Sequence, residues 1–409
     1  MADPYITCEE TYGARNYHPL PVVLVRGEGV YVWDDHGKAY LDMMSAYSAV
    51  SHGHCHPKLV RVLQEQATRL NIVSRAFYTD QLGPFLKRAC EVTGYAKALP
   101  MNTGAEAVET ALKAARKWAY TIKKVPENAA EIISCSGNFH GRTISIVGMS
   151  SEPQYRSGFG SFPTGFKTIP YGDAKALEAA ITPNTAAFLV EPIQGEGGIV
   201  IPPAGYLKAC EAICRKNNVL MIVDEIQTGL GRTGKLLACD HDGVKPDAIV
   251  LGKALGGGLL PVSLFLTRKE VMDVFTPGDH GSTFGGNPLA AAVAHAAIDV
   301  LIEEQLIDRA AILGDYFIKK LKTIKSPLIK AIRGKGLLIG LEIHEGISAH
   351  DICLKLLEEG ILTKETHQTV IRFAPPLIIT ESEIDHAIVA LKKVFAQIDA
   401  ASLPKLQSS

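Results

Sequence analysis

The sequence predicts an α/β fold, with a large domain built on a mainly parallel sheet covered by helices on both faces and a small α+β domain beside it. Three observations carry this expectation. The runs Ile132–Cys135, Ala186–Val190, Val219–Val223 and Ala248–Leu251 are short and apolar, as strands buried on both faces must be. Stretches with helical apolar spacing alternate with them, such as Leu59, Val62, Leu63, Ala67 and Leu70, or Val108, Leu112, Ala115 and Ala119. From about residue 303 the pattern changes to a mixture of helices (307–321, 348–359, 381–398) and strands (336–342, 369–373). The expected division is an N-terminal segment, 1–46, packing with the small domain; a large domain, 47–302; and the small C-terminal domain, 303–409. A chain of 409 residues agrees with about two cores.

Composition narrows the function classes. With 42 Lys and Arg against 43 Asp and Glu, the chain has no basic field to hold nucleic acid or an anionic membrane. Leu289–Ile302, the longest apolar helix, is too short to span a bilayer and carries His295 and Asp299. Eight cysteines lie scattered without a CxxC, which suits a reducing compartment. The opening MADPYITCEE has neither a signal core nor an Arg/Ser-rich run, so a cytoplasmic location is expected. A processed mitochondrial protein would look similar.

Taken in order, the first 46 residues are an irregular entry and a hairpin, Gly29–Asp34 and Ala39–Asp42 about the turn Asp35-His36-Gly37-Lys38. Before it, Asn16-Tyr17-His18-Pro19-Leu20-Pro21 is extended by its prolines. Ser51-His52-Gly53-His54-Cys55-His56-Pro57 invites zinc, but ligands this close in sequence do not converge on one tetrahedron and no second cluster completes a site. No metal is expected. Asn102-Thr103-Gly104-Ala105 opens a helix, where free amides and the positive dipole end suit a phosphate, or where Asn102 or Thr103 is simply the cap. Gly137-Asn138-Phe139-His140-Gly141-Arg142 reads as a loop that offers a ring to a flat partner. The segment 151–167 is aromatic, glycine-rich and aperiodic, and is expected to be a long loop. The strands 186–190, 219–223 and 248–251 then deliver Glu191, Asp224-Glu225 and Gly252-Lys253 to a carboxyl edge, the usual place for an α/β site. A lysine and an acid at neighbouring strand ends suit pyridoxal phosphate, which needs a lysine for attachment and a carboxylate for its ring nitrogen. No GxGxxG follows the first strand, which removes a nicotinamide-binding reading.

The words VDEIQTGLGRTG (223–234) and GKALGGG (252–258) resemble the class III (subgroup II) aminotransferases, the group that includes ornithine, acetylornithine and γ-aminobutyrate aminotransferases. The resemblance runs from about Tyr12 to about Ile398. It implies the type I pyridoxal-phosphate fold and ping-pong transamination. Under it, Lys253 holds the cofactor and then serves as the base, while Asp224 faces the ring nitrogen. Thr103, Gly104 and Ala105 hold the phosphate, Phe139 stacks on the ring, and Gln227 bonds the phenolic oxygen. Ser282 and Thr283 reach the phosphate of a neighbouring subunit, so a homodimer with shared active sites is implied.

Tyr17 and Tyr47 lie in the substrate pocket by the same resemblance, and Arg142 binds the carboxylate furthest from the reacting amine. His140 stands where animal ornithine-acting members have Trp, and is expected in the pocket wall. Glu196 pairs with Arg372, which lets ornithine enter by its δ-amine and later frees Arg372 for 2-oxoglutarate. Tyr17 together with Glu196 and Arg372 points to the ornithine-acting members, with glutamate 5-semialdehyde and L-glutamate as products. An acetylornithine-acting member is the alternative, with an aminomutase or a non-catalytic protein on the same scaffold behind it.

Overall fold

The computed structural model describes residues 3–406, with side chains to 399. Its strands, in chain order, are β1 (Leu24–Glu28), β2 (Tyr31–Asp34), β3 (Ala39–Asp42), β4 (Lys97–Met101), β5 (Glu131–Cys135), β6 (Phe166–Ile169), β7 (Thr185–Val190), β8 (Leu220–Asp224), β9 (Ala248–Leu251), β10 (Ser263–Thr267), β11 (Ile329–Lys335), β12 (Leu338–Ile343), β13 (Ile361–Leu362), β14 (Lys364–Thr366) and β15 (Val370–Phe373).

The central sheet has seven strands in the order β4-β10-β9-β8-β7-β5-β6. β10 pairs antiparallel with both β4 and β9, and every other pairing is parallel. One strand therefore runs against the rest. Every residue of β7, β8 and β9 is buried, which is why these strands are continuous apolar runs and not alternating ones. Alternation sorts their side chains between two cores. Phe188, Val190, Met221, Val223, Ile249 and Leu251 fall in one; Ala187, Leu189, Leu220, Ile222, Ala248 and Val250 fall in the other. On the second face lies the helix Gly104–Trp118. The apolar helix Pro288–Glu303 packs on the first, against Pro57–Ala67 and Leu82–Thr93.

Register decides where function gathers. Val190 pairs with Val223, and Asp224 with Val250, so the three strands end level and Glu191, Asp224 and Lys253 leave the sheet side by side. Two further four-stranded sheets have the orders β1-β2-β3-β13 and β11-β12-β15-β14. The first joins the beginning of the chain to its last quarter through parallel pairing of β3 with β13.

The structure departs from the sequence expectations in several elements. The entry expected to be irregular holds a helix, Pro4–Tyr12, and the helix expected from the spacing of Leu59 to Leu70 ends at Ala67. Leu82–Thr93, β4 and β11 were not anticipated. The expected loop 151–167 holds a helical turn, Pro153–Arg156, and its end is the start of β6. The three clustered histidines go separate ways: His52 Nε2 lies 2.9 Å from the Ala297 carbonyl, His54 Nε2 2.7 Å from Asp42 and His56 Nε2 3.0 Å from Glu304. Among the described residues no helix is long and apolar enough to cross a membrane, and no group of metal ligands gathers.

Candidate active site

A cavity of about 200 Å³ opens at the carboxyl edge of β7, β8 and β9. Asp224, Lys253, Phe139, His140, Gln227, Glu196, Gly104 and Ala105 line it, together with Glu191. Asp224 ends β8 and Glu225 follows, so the two acids face opposite ways. Asp224 turns to the cavity, while Glu225 is tied into the fold by the Thr228 hydroxyl at 2.5 Å and the Cys239 amide at 2.9 Å. Lys253 follows β9 with φ at +45°, a conformation costly for a side chain of its size, and faces Asp224 across the cavity. Burial, with the Arg372 cation adding to it, pulls the Lys253 amine below the usual lysine range against the opposing charges of Glu196, Asp224 and Glu191.

Two contacts here were not foreseen. His140 Nδ1 lies 2.7 Å from Asp224 Oδ2 and the ring is buried, so the residue expected in the wall also holds the acid. Burial disfavours the imidazolium, but the hydrogen bond and charge of Asp224, with Glu191 beyond, raise His140 above the ordinary histidine range. Glu191 receives the Phe139 amide at 3.1 Å. Its carboxyl is pushed up to about 8 by burial, with the Asp224 charge adding and His140, the Phe139 amide and Lys253 opposing. The one signal in the sequence was that Glu191 is the first residue past a buried strand, level with Asp224.

At the cavity's other end, Arg372 Nη1 donates to Glu196 Oε1 at 2.5 Å, and Gln227 Nε2 donates to the same oxygen at 3.0 Å. Burial would raise the Glu196 carboxyl, but Arg372, Lys253 and these hydrogen bonds bring it below its ordinary value. The Tyr47 ring stands over the Arg372 guanidinium at 4.8 Å. Arg142 differs. It is exposed, stacks on Tyr155 at 3.5 Å, lies 5.4 Å from the Phe139 ring centre, and has no ion-pair partner among the described residues. A Cβ at Gly195 would fall 1.4 Å from Gln227 Oε1, so any side chain there must displace the Gln227 amide.

Thr103 is the cap of the helix Gly104–Trp118. Its hydroxyl accepts from the Glu106 amide at 3.2 Å, while Glu106 receives the Asn102 and Thr103 amides at 3.0 and 2.7 Å. This leaves the amides of Gly104 and Ala105, at the first two helical positions, as the free donors of that end. Ser282 reaches the same end within its own chain, where its hydroxyl accepts from Asn102 Nδ2 at 2.8 Å. Thr283 is exposed, and so is Tyr17, at 75%. Neither lines the cavity.

Residues 12–395 match the family Aminotransferase class-III. An ornithine aminotransferase of Geobacillus sp. (strain WCH70) is 59% identical over 96% of this chain and 98% of its own length. The structure of an ornithine aminotransferase from Toxoplasma gondii, with pyridoxal phosphate at partial occupancy in its active site, superposes with a TM-score of 0.96 at 49% identity, covering 97% of this chain and 94% of that one. An acetylornithine aminotransferase from Elizabethkingia anophelis is also 49% identical, with a TM-score of 0.88 over 96% and 98% of the two chains.

The chain belongs to the class-III aminotransferases. Pyridoxal phosphate fits the donor set this aminotransferase presents: a lysine with a lowered amine, an acid at a strand end, a helix start with free amides and an aromatic wall. Two buried polar atoms beside the cavity, Gln227 Oε1 and His140 Nε2, have no partner among the described residues. A polar group in the cavity would give the first of them one.

Proposed function

We propose that this aminotransferase moves the δ-amino group of L-ornithine to 2-oxoglutarate, giving glutamate 5-semialdehyde and L-glutamate. The products connect arginine metabolism with proline biosynthesis. The observation that carries this reading is the contrast between its two arginines. Arg372 is masked by Glu196, while Arg142 is unpaired among the described residues. A masked Arg372 does not compete for the α-carboxylate, so the substrate's carboxylate is left to Arg142, and the distal amine points at Lys253. When Glu196 turns away, Arg372 offers a bidentate fork to the α-carboxylate of 2-oxoglutarate.

Bound pyridoxal phosphate supplies an electron sink that makes the hydrogen on the amine-bearing carbon acidic. Asp224, held by His140, would be the partner of the ring nitrogen. Gly104, Ala105 and the Thr103 cap would hold the phosphate, with Ser282 and Thr283 at the rim. Phe139 and Gln227 fix the ring plane and its oxygen. Lys253 Nζ, with its lowered basicity, is free to take the proton from the substrate's carbon and return it. We further propose a homodimer, because Phe77 (66% exposed), Tyr78 and Phe284 are exposed rings on two segments joined by the Arg75 guanidinium at the Gly285 carbonyl.

The acetylornithine-acting relative, as similar in sequence as the Toxoplasma protein, keeps a second reading open. The two separate in one assay, glutamate formation from 2-oxoglutarate with either amine. The expected result is a kcat/KM for L-ornithine at least about tenfold above that for N-acetylornithine, the scale of one charged hydrogen bond. The reverse order would replace the substrate and keep the chemistry.

A further inference from the structure

Ser45-Ala46-Tyr47-Ser48 contains neither glycine nor asparagine, yet its four φ angles are +43°, +47°, +59° and +74°. A left-handed turn of four such residues does not persist without an external clamp. The clamp is visible. Asp42 Oδ1 accepts the amides of Met44 and Ser45 at 2.9 and 2.8 Å. Arg232, fully buried, donates through Nη2 to the Ser45 hydroxyl at 3.3 Å and the Ser51 hydroxyl at 2.8 Å. The Ser51 hydroxyl in turn donates to the Ser48 carbonyl at 3.1 Å, so one guanidinium ties both ends of the turn.

Its other terminal nitrogen faces two further segments. Arg232 Nη1 donates to the carbonyls of Pro375 at 2.5 Å and Leu337 at 3.1 Å. Ala374 and Pro375 follow β15, the strand that carries Arg372, and the Ser45 hydroxyl donates to the Ala374 carbonyl at 2.6 Å. Arg232 has no ion-pair partner among the described residues, although burying a guanidinium without one is costly. A single-point donor could not hold four oxygens from three segments, whereas a guanidinium fork can.

We infer that Arg232 is a positioning residue for the carboxylate gate: it holds the left-handed turn bearing Tyr47 in register with the strand end bearing Arg372, and so sets how tightly the gate takes a substrate. The inference rests on the reading of Glu196 and Arg372 as that gate. Tyr47 acts by standing over the Arg372 guanidinium, which limits where it moves when Glu196 releases it. Loosening the clamp lets Tyr47 drift, and the KM for 2-oxoglutarate rises while kcat changes less.

The test is a double-mutant cycle on the cofactor-loaded enzyme, with Arg232→Lys and Tyr47→Ala singly and together, alongside Glu196→Gln. Arg232→Lys is expected to raise the KM for 2-oxoglutarate about fivefold or more, and to add nothing once Tyr47 is Ala, the non-additivity of residues that act through one another. Equal losses in both backgrounds would show a merely structural arginine and overturn the inference. Glu196→Gln should shift the preference between ornithine and glutamate as amine donors. If it does and Arg232→Lys leaves KM unchanged, the inference falls and the gate stands; if Glu196→Gln changes nothing, both fall. Ser51→Ala, which cuts the tie to Ser48 alone, carries the same cycle should the lysine variant fail to fold.

Discussion

Three titrating groups share the floor of the cavity, and their charges are set against one another. Asp224 is held by His140 at 2.7 Å, and Glu191 lies level with it on the next strand. Glu191, pushed up to about 8, keeps a proton in the folded chain that it loses in the unfolded one. The sign follows. Its contribution to stability is fully present below the unfolded value of about 4.3 and is lost as pH rises through about 8, at no more than about 1.4 kcal/mol per pH unit. Glu191→Gln removes that proton. Thermal unfolding of the cofactor-free protein between about pH 5 and 8 should therefore show wild type losing ground steadily to the Gln variant, and parallel curves would contradict it. Asp224 and Lys253 were legible in the sequence because buried apolar runs stop at them. The His140 contact was not, since 84 residues separate the partners and the ring's direction depends on how the loop between Gly137 and Gly141 folds.

At the scale of elements, what was missed has specific causes. Gly83 and Pro84 look like breakers, yet they occupy the first turn of Leu82–Thr93, where a missing amide costs nothing, and Gly94 closes the helix with φ at +74°. Pro153 similarly starts a helical turn inside an expected loop. The Ser45–Ser48 turn was unreadable for the opposite reason: its residues carry no left-handed signal, because the conformation is imposed by Asp42 and Arg232 from elsewhere in the chain. Strain of this kind can be relieved without touching the clamp. Ala46 is exposed, at φ +47° and ψ +54°, so Ala46→Gly removes a left-handed penalty of about 1–2 kcal/mol against a loss of about 0.5–1 kcal/mol from glycine's greater freedom when unfolded. A slightly higher Tm is expected from calorimetry. A lower one would mean that the Ala46 methyl contributes packing of its own.

For the whole molecule, the fold class was readable because sheet and helix periods alternate cleanly, and because β7, β8 and β9 are too apolar to lie anywhere but between two covering layers. What a single chain leaves uncovered is as informative. The exposed rings of Phe77, Tyr78 and Phe284 adjoin the segment whose Ser282 reaches the start of the helix Gly104–Trp118. Phe284→Asp is expected to halve the mass seen by light scattering at micromolar concentration and to weaken cofactor retention in the same sample. An unchanged mass would move the interface elsewhere. The pairing of β3 with β13 has a consequence of another kind. Lys38 reaches the Glu358 carbonyl across 320 residues, so the first sheet has no complete edge while the ribosome is still reading the middle of the message. β1, β2 and β3 pair with one another locally, but the outer edge of β3 must wait for β13. In this chain one strand edge near the N-terminus is thus left open to chaperones until the last quarter has been made.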